Sequence, residues 1–278
     1  MSSTWGEGVP PDAPQKPGAL GWLLIALRAP VLVVVNFGCL ALLLLCRLLE
    51  RPLCGVNRPV TPWITVFVCR TSLKVMRLRL KITGTPMRHR GALVANHSSW
   101  LDIYTLNATA PLYFVSKAEV AKWPGIGWLA KATGTVFINR DRREAKAQQD
   151  VFHQRLEARH RLLFFPEGTS TDGLRVLPFK TTLFAAFTGD SLRDHLWVQP
   201  MSVIYRAPEG APVRFYGWWG DMDFGGHLLK VLATWRNGSV EVVFHPPLQV
   251  ADLPDRKALA RAAEAAVRAG MPEDRRGM

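Results

Sequence analysis

The sequence predicts an α/β fold, a two-layer or three-layer sandwich around a mostly parallel mixed sheet, with an N-terminal membrane helix. Three observations predict it. Short apolar runs recur between turn residues from about residue 78 onward, helical stretches separate several of them, and one long apolar stretch lies upstream. A length of 278 residues at 48% hydrophobic content excludes disorder as the main state and supplies a packed core for one large domain or two small ones.

The elements follow in chain order. Residues 1–18, rich in Pro and Gly, read as a disordered tail, and residues 19–77 as a membrane-associated helical segment. Within that segment Val31 to Cys46 holds 16 residues without a charge, roughly 24 Å as a helix against a hydrocarbon core of ~30 Å. Extension to Ala19 meets Arg28 and Pro30, and extension to Leu49 passes Arg47, so the helix is expected to span or to re-enter. A cleaved signal peptide fits poorly, because the segment starts deep in the chain, lacks a basic leader and is followed by no small-x-small site.

Pro62 to Met76 predicts an interfacial helix, with Arg70, Lys74 and Arg77 at i, i+4 and i+7 and an apolar face from Trp63, Ile64, Phe67 and Val68. Alternation over Arg77 to Thr83 then predicts a strand, and residues 78–278 form the expected catalytic domain. Buried strands are predicted at Ala92–Asn96, Leu112–Ser116, Gly134–Asn139, Arg161–Phe165, Val198–Tyr205 and Val240–Phe244. Helices are predicted at Glu119–Ala132, Arg142–Arg159 and Leu253–Ala269.

The charge is uneven. The net charge is +13, yet the first fifty residues balance Lys16, Arg28 and Arg47 against Glu7, Asp12 and Glu50. Arg51 to Arg90 then holds nine Lys or Arg and no acid. An apolar segment followed by a basic one points to anionic membrane lipid on the cytoplasmic side, and not to nucleic acid. Cys39, Cys46, Cys54 and Cys69 form no Cys-x-x-Cys pair and have no histidine at ligand spacing, so neither a disulfide framework nor a zinc site is expected.

Two stretches carry chemistry. In Gly91 to Asp102 (GALVANHSSWLD) a strand ends at Asn96, His97 sits in a turn, and Ser98 or Ser99 offers an N-cap for a helix through Tyr104. From the turn, the imidazole can fold back to the Asp102 carboxylate, which is the arrangement of a general base acting on a hydroxyl. Ser99-x-x-Asp102 equally fits a capping box around an ordinary loop histidine. In Phe164 to Gly173 (FFPEGTSTDG), Pro166-Glu167-Gly168 follows a buried strand, where α/β folds place ligands and where a plain turn also fits. No G-x-S-x-G elbow is present, which leaves a thioesterase or lipase as a remote alternative.

Together with Gly134 to Arg140 (GTVFINR), Phe165 to Thr169 (FPEGT) and Val198-Gln199-Pro200, the NHSSWLD segment resembles the four ordered motifs of the glycerolipid acyltransferase family, which includes bacterial lysophosphatidic acid acyltransferases. The resemblance covers about Leu78 to Pro246. It implies transfer of a fatty acyl group from acyl-CoA or acyl-ACP, as co-substrate, to a lysolipid hydroxyl, with no metal, no other cofactor and no covalent intermediate. It implies His97 as base and Asp102 as its orienting partner. Arg140, Glu167, Gly168 and Thr169 would bind the acceptor, and Pro200 would shape the pocket. Phosphate-handling members commonly continue E-G-T with Arg-Ser, whereas Ser170-Thr171-Asp172 follows here. That departure resembles the lyso-ornithine lipid O-acyltransferase branch. The alternative is a dedicated 1-acyl-sn-glycerol-3-phosphate O-acyltransferase, for which Arg175 stands near enough to supply charge.

Overall fold

The computed structural model describes residues 5, 16–123, 125–138, 145–187 and 193–276. Arg140, most of the tail 1–18 and the start of the helix predicted from Arg142 lie outside the described residues.

Eight strands form one sheet: β1 (Arg79–Thr83), β2 (Gly91–Ala95), β3 (Tyr113–Lys117), β4 (Val136–Ile138), β5 (Leu162–Phe164), β6 (Trp197–Arg206), β7 (Ser239–Phe244) and β8 (Leu248–Gln249). Their spatial order is β1-β7-β6-β2-β5-β3-β4, with β8 beside β6. Strands β6, β2, β5, β3 and β4 are parallel, while β7 and β8 run antiparallel to β6. Central strands of a parallel sheet are covered on both faces and so read as unbroken apolar runs, and all five residues of β2 are buried.

Helices cover both faces, which makes this a three-layer sandwich. Alternate residues of one strand feed two cores: Leu93 and Ala95 enter one, Ala92 and Val94 the other. The first core lies under α1 (Ala19–Val33), α3 (Thr61–Val75), α4 (Leu101–Asn107) and α7 (Phe224–Ala233), taking Ile25, Cys69, Leu73, Leu106 and Val231. Beneath α6 (Ala145–Glu157) and α8 (Arg256–Gly270), Phe152, Leu156, Leu259 and Ala263 fill the second. α8 starts at Asp255, whose carboxylate accepts from the Ala258 amide at 2.7 Å, so the helix begins later than the expected Leu253.

The apolar segment is longer than its uncharged centre. α1, one π turn at Val34–Gly38 and α2 (Cys39–Cys54) run on as one helical stretch of 36 residues, Ala19–Cys54, whose most apolar 18 residues have a mean hydropathy of 2.5. Arg28, Asn36 and Glu50 face the protein, while Arg51 is exposed. Arg28 donates to the carbonyls of Leu232 and Thr234, both at 2.7 Å, and so caps the C-terminus of α7. The Asn36 amide oxygen accepts from the Tyr104 hydroxyl at 2.9 Å. Glu50 accepts from the amides of Val60 (2.7 Å) and Thr61 (3.0 Å) at the start of α3. The outer face is apolar and open, with Leu27 at 61%, Leu45 at 62% and Leu49 at 70% exposure, continued on α3 by Trp63 and Phe67.

Two expected helices differ in detail. Glu119–Ala132 is split into a 3₁₀ segment, Ala118–Lys122, and α5 (Ile126–Thr133), with a break around the Pro-Gly pair of the sequence. The helix expected at Pro62–Met76 is α3, Thr61–Val75, on which Arg70 and Lys74 are both exposed and Arg70 donates to the Ala108 carbonyl at 2.7 Å.

Candidate active site

The parallel strands β2 and β5 end side by side, and both informative motifs lie at those ends. At the end of β2 the Asn96 side chain replaces the sheet ladder: its Nδ2 donates to the Val203 carbonyl (2.9 Å) and its Oδ1 accepts from the Val203 amide (2.8 Å). This clasp on β6 fixes where the chain leaves the sheet and where His97 begins the turn.

The imidazole folds back over the first turn of α4, placing Nδ1 2.7 Å from Asp102 Oδ2. The same oxygen accepts from the amides of Ser98 (2.8 Å) and Ser99 (3.0 Å). One carboxylate therefore serves both readings of the sequence, reaching back to the helix N-terminus and holding the histidine. Trp100 occupies the N-cap position without a side-chain bond, and Ser99 Oγ accepts from the Leu101 amide at 3.4 Å. The amides of Ser98 and Ser99 are also committed, which removes them as donors to a developing oxyanion. Asp102 is fully buried, whereas the His97 side chain is 20% exposed. With Nδ1 engaged, Nε2 is the nitrogen left to exchange a proton.

Sequence reasoning missed Tyr205. Its hydroxyl donates to the second Asp102 oxygen, Oδ1, at 2.8 Å and lies 3.0 Å from Thr105 Oγ1. The tyrosine stands on β6, 103 residues from Asp102, and no local signal marks it. Burial and the Asp102 charge push its phenol well above the usual range, so it stays a donor.

Glu167 sits at the end of β5 in the turn closed by the Gly168 amide on the Phe165 carbonyl (3.0 Å). Its Oε1 accepts from the His97 amide (2.7 Å) and its Oε2 from the Leu177 amide (2.8 Å), and 1% of the residue is exposed. Burial pushes this carboxyl up to about 8, aided by the Asp102 charge and opposed by the two amides. Gly168 has φ +72°, and a Cβ there would meet Lys180 Nζ at 2.7 Å. Thr171 closes the motif onto the His97 turn, its amide donating to the His97 carbonyl at 3.0 Å. Thr169 is half-buried, with Oγ1 3.4 Å from the Trp5 amide. Pro200 lies inside β6, paired with Val94, behind the motifs and not at the strand ends.

The expected stand-in for the missing arginine is already engaged. Arg175 forms a two-point pair with Asp172, Nη2 to Oδ2 at 3.0 Å and Nε to Oδ1 at 3.3 Å, and lies over the Trp5 ring at 4.9 Å. Ser170 is 8% exposed.

His97 opens into an apolar cavity of about 310 Å³ between the long helix and the sheet. Leu40 and Leu43 of α2, Val68 of α3, Ile103 of α4 and Leu129 of α5 line it, and Trp100 and Phe165 stand beside the histidine. The Phe165 ring stacks on the imidazole at 4.0 Å. Trp100 is held by a bond from its Nε1 to His227 Nδ1 (2.9 Å), and burial with the nearby Lys230 charge brings His227 down to about 3, keeping it a neutral acceptor.

The profile of the acyltransferase family matches residues 74–204, which contain all four motifs. A lyso-ornithine lipid O-acyltransferase of Rhodobacter capsulatus is 59% identical over 266 residues, 96% of each chain. A 1-acyl-sn-glycerol-3-phosphate acyltransferase of Neisseria gonorrhoeae is 42% identical over 101 residues, 36% of this chain and 40% of that protein. Among solved structures, the 1-acyl-sn-glycerophosphate acyltransferase of Thermotoga maritima superposes with a TM-score of 0.61 at 20% identity, covering 90% of this chain and 92% of its own, which is a likeness of fold. With a relative matched nearly end to end and the family profile lying across the paired His97 and Asp102, this chain belongs to the acyltransferase family.

Proposed function

We propose that the protein transfers a fatty acyl group from an acyl thioester, acyl-CoA or acyl-ACP, to the free hydroxyl of a lyso-ornithine lipid. The observation that carries this reading is the His97–Asp102 pair opening into an apolar cavity whose wall is shared with a helix of open, apolar outer face. His97 Nε2 takes the proton of the acceptor hydroxyl as its oxygen attacks the thioester carbonyl. The tetrahedral adduct collapses, the C–S bond breaks, and the thiolate recovers the proton from the imidazolium. Asp102 fixes the tautomer and stabilises the imidazolium, so neither a metal nor a covalent acyl-enzyme is needed. Glu167 holds the His97 turn through its two amide bonds, while Gly168, Thr169 and Arg140 contact the acceptor and Pro200 backs the motif from within the sheet.

The headgroup assignment rests on charge. A phosphate acceptor asks for a free guanidinium beside the E-G-T turn, and Arg175 is neutralised by Asp172. An ornithine headgroup carries an ammonium beside its carboxylate, so it brings less negative charge and asks for less surplus cation. The relative with 96% mutual coverage bears the corresponding name. Phosphate acceptors are the second reading, favoured by the matched segment of the 1-acyl-sn-glycerol-3-phosphate acyltransferase.

Membrane attachment follows from the outer face of Ala19–Cys54. Tied to the globular body near both ends and at its centre, that helix is read as lying in the cytoplasmic leaflet of the inner membrane, with one face in lipid and the basic residues after it at headgroup level. The test is purified protein in detergent offered each acceptor with each thioester, with products identified by mass spectrometry. Acylation of lysophosphatidic acid alone would refute the headgroup reading, and free fatty acid as the sole product would refute acyl transfer.

A further inference from the structure

A second cavity, about 730 Å³, lies at the other edge of the sheet. Arg88 and His89 just before β2, Tyr113 at the start of β3, and His160 and Arg161 just before β5 line it. These strands are parallel, so their starts gather at one edge while His97 and Glu167 sit at the ends. A strand of five residues separates the two edges by about 16 Å.

The chemistry of this cavity is that of an anion site. Arg58, Arg88, Arg159 and Arg161 line it with His89 and His160, and no carboxylate does among the described residues. Burial, and with it the Arg88 charge, lowers the pKa of Arg161, a repulsion that a bound anion would relieve. His160 is 6% exposed and stacks on Tyr113 at 4.3 Å, and neither ring nitrogen has a hydrogen-bond partner among the described residues. The Arg58 Nε–H is likewise unpartnered. Buried polar groups without partners are uncommon, and the two residues that carry them here, Arg58 and His160, both line this cationic space.

The rim identifies the source of the anion. Leu53 and Cys54, the last turn of the long apolar helix, and Trp63 of α3 line the same cavity, and Leu53 and Trp63 are 81% and 59% exposed. Arginines beneath an apolar rim at a lipid-facing helix end match the phosphate of a phospholipid whose chains run along that helix. We propose that this cavity binds the phosphate headgroup of an anionic membrane phospholipid, a site separate from catalysis that seats the enzyme on the bilayer. The inference rests on the reading that the helix faces lipid.

Monomeric dihexanoyl phosphatidylglycerol is titrated into full-length protein in non-ionic detergent and followed by native mass spectrometry, beside inorganic phosphate, coenzyme A and dihexanoyl phosphatidylcholine. Phosphatidylglycerol should bind at one site. The R88Q/R161Q double variant should weaken it at least about tenfold, R88K/R161K should stay within about threefold, and acyl transfer to detergent-dispersed substrate should be unchanged. Arg88 is exposed in a loop, so R88Q alone gives a well-folded check and should weaken binding in the same direction. Unchanged binding in R88Q and the double variant would overturn the proposal. So would inorganic phosphate binding as tightly as the lipid, which leaves an anion site with no lipid role, or loss of coenzyme A binding alone in the double variant, which assigns the cavity to the donor. Flotation on neutral vesicles separates the premise: a protein that floats there but binds no phosphatidylglycerol keeps its membrane helix and loses this site.

Discussion

Replacing Asp102 by Asn isolates the charge of the pair from its geometry. Asp102 Oδ2 receives His97 Nδ1 and the amides of Ser98 and Ser99, and Oδ1 receives the Tyr205 hydroxyl. An asparagine that puts its carbonyl oxygen at the Oδ2 position keeps the first three contacts. Its NH2 then faces Tyr205, which can accept by turning its own proton to Thr105 Oγ1, 3.0 Å away. The packing survives and one negative charge is lost. In the ground state the cost is small, because neutral His97 still donates through Nδ1. In the transition state the imidazolium faces a neutral amide in a site where Asp102 is 0% exposed. Leaving a buried charge uncompensated costs about 3–5 kcal/mol, reduced here because His97 itself is partly open. At ~1.4 kcal/mol per factor of ten, this gives a loss of roughly 10²- to 10³-fold in turnover.

The assay is thiol release from the acyl thioester, with the lipid product confirmed by mass spectrometry, across about pH 6 to pH 9. The melting temperature should stay near that of the wild type. Adding Tyr205→Phe tests the wiring: alone it leaves one buried Asp102 oxygen short of a donor, at about 1–3 kcal/mol, whereas combined with Asp102→Asn it should add little. An Asp102→Asn variant within tenfold of wild-type turnover, correctly folded, would refute the role of the Asp102 charge.

Three further outcomes are expected. Glu167→Gln places an amide NH2 against a backbone N–H and should lower stability by about 1–3 kcal/mol. Because burial raises the native Glu167 carboxyl to about 8, its contribution is full below the ordinary carboxylate range and is lost as pH rises through about 8, so the fall of melting temperature over that interval should flatten in the Gln variant. Ala130→Trp, which fills part of the cavity, should shift selectivity toward shorter acyl thioesters, each excluded methylene changing the ratio of kcat/KM by about tenfold or more. Asp172→Asn frees Arg175 and should raise the ratio of lysophosphatidic acid to lyso-ornithine lipid acylation; Ser170→Arg should act in the same direction, less cleanly, since Ser170 is 8% exposed.

What was legible in the sequence was local or periodic. The six strands expected after Leu78 all form, because strands buried on both faces leave unbroken apolar runs. Their limits shift by a residue or two, and most at β4, which keeps only Val136–Ile138. The two-residue β8 carried too little pattern to be read. His97 and Asp102 could be paired on paper because five residues separate them across one turn. The rest of the site was not legible, for a physical reason. Asn96 is held by Val203, Asp102 by Tyr205, and Glu167 by the amides of His97 and Leu177. Two of those links span about a hundred residues, and backbone amides, present at nearly every position, leave no mark in a sequence.

The long apolar helix shows how one segment can anchor the protein and shape its site. Its inward stripe runs through Leu24, Arg28, Asn36, Leu40 and Leu43 to Glu50, and the π turn at Val34–Gly38 shifts the stripe between its two halves. On that stripe the charged and amide groups hold other helices by their ends, and the apolar ones wall the cavity that reaches His97. The opposite stripe, with Leu20, Leu23, Leu27, Leu45, Leu48, Leu49 and Leu53, is left open. Each such side chain moved fully from water to hydrocarbon is worth about 1.5–3 kcal/mol, an upper bound because all are already partly covered. Even at half that value the leucines together outweigh what the basic residues after the helix can draw from a screened headgroup layer, about 1 kcal/mol per charge near the surface. Burial supplies the anchoring and charge sets the orientation, so salt should strip the protein from vesicles only in part. On the proposed function, an acyl chain lodged between α2 and α5 would be held by the same helix whose outer face is open and apolar, and the thioester would meet His97 in apolar surroundings.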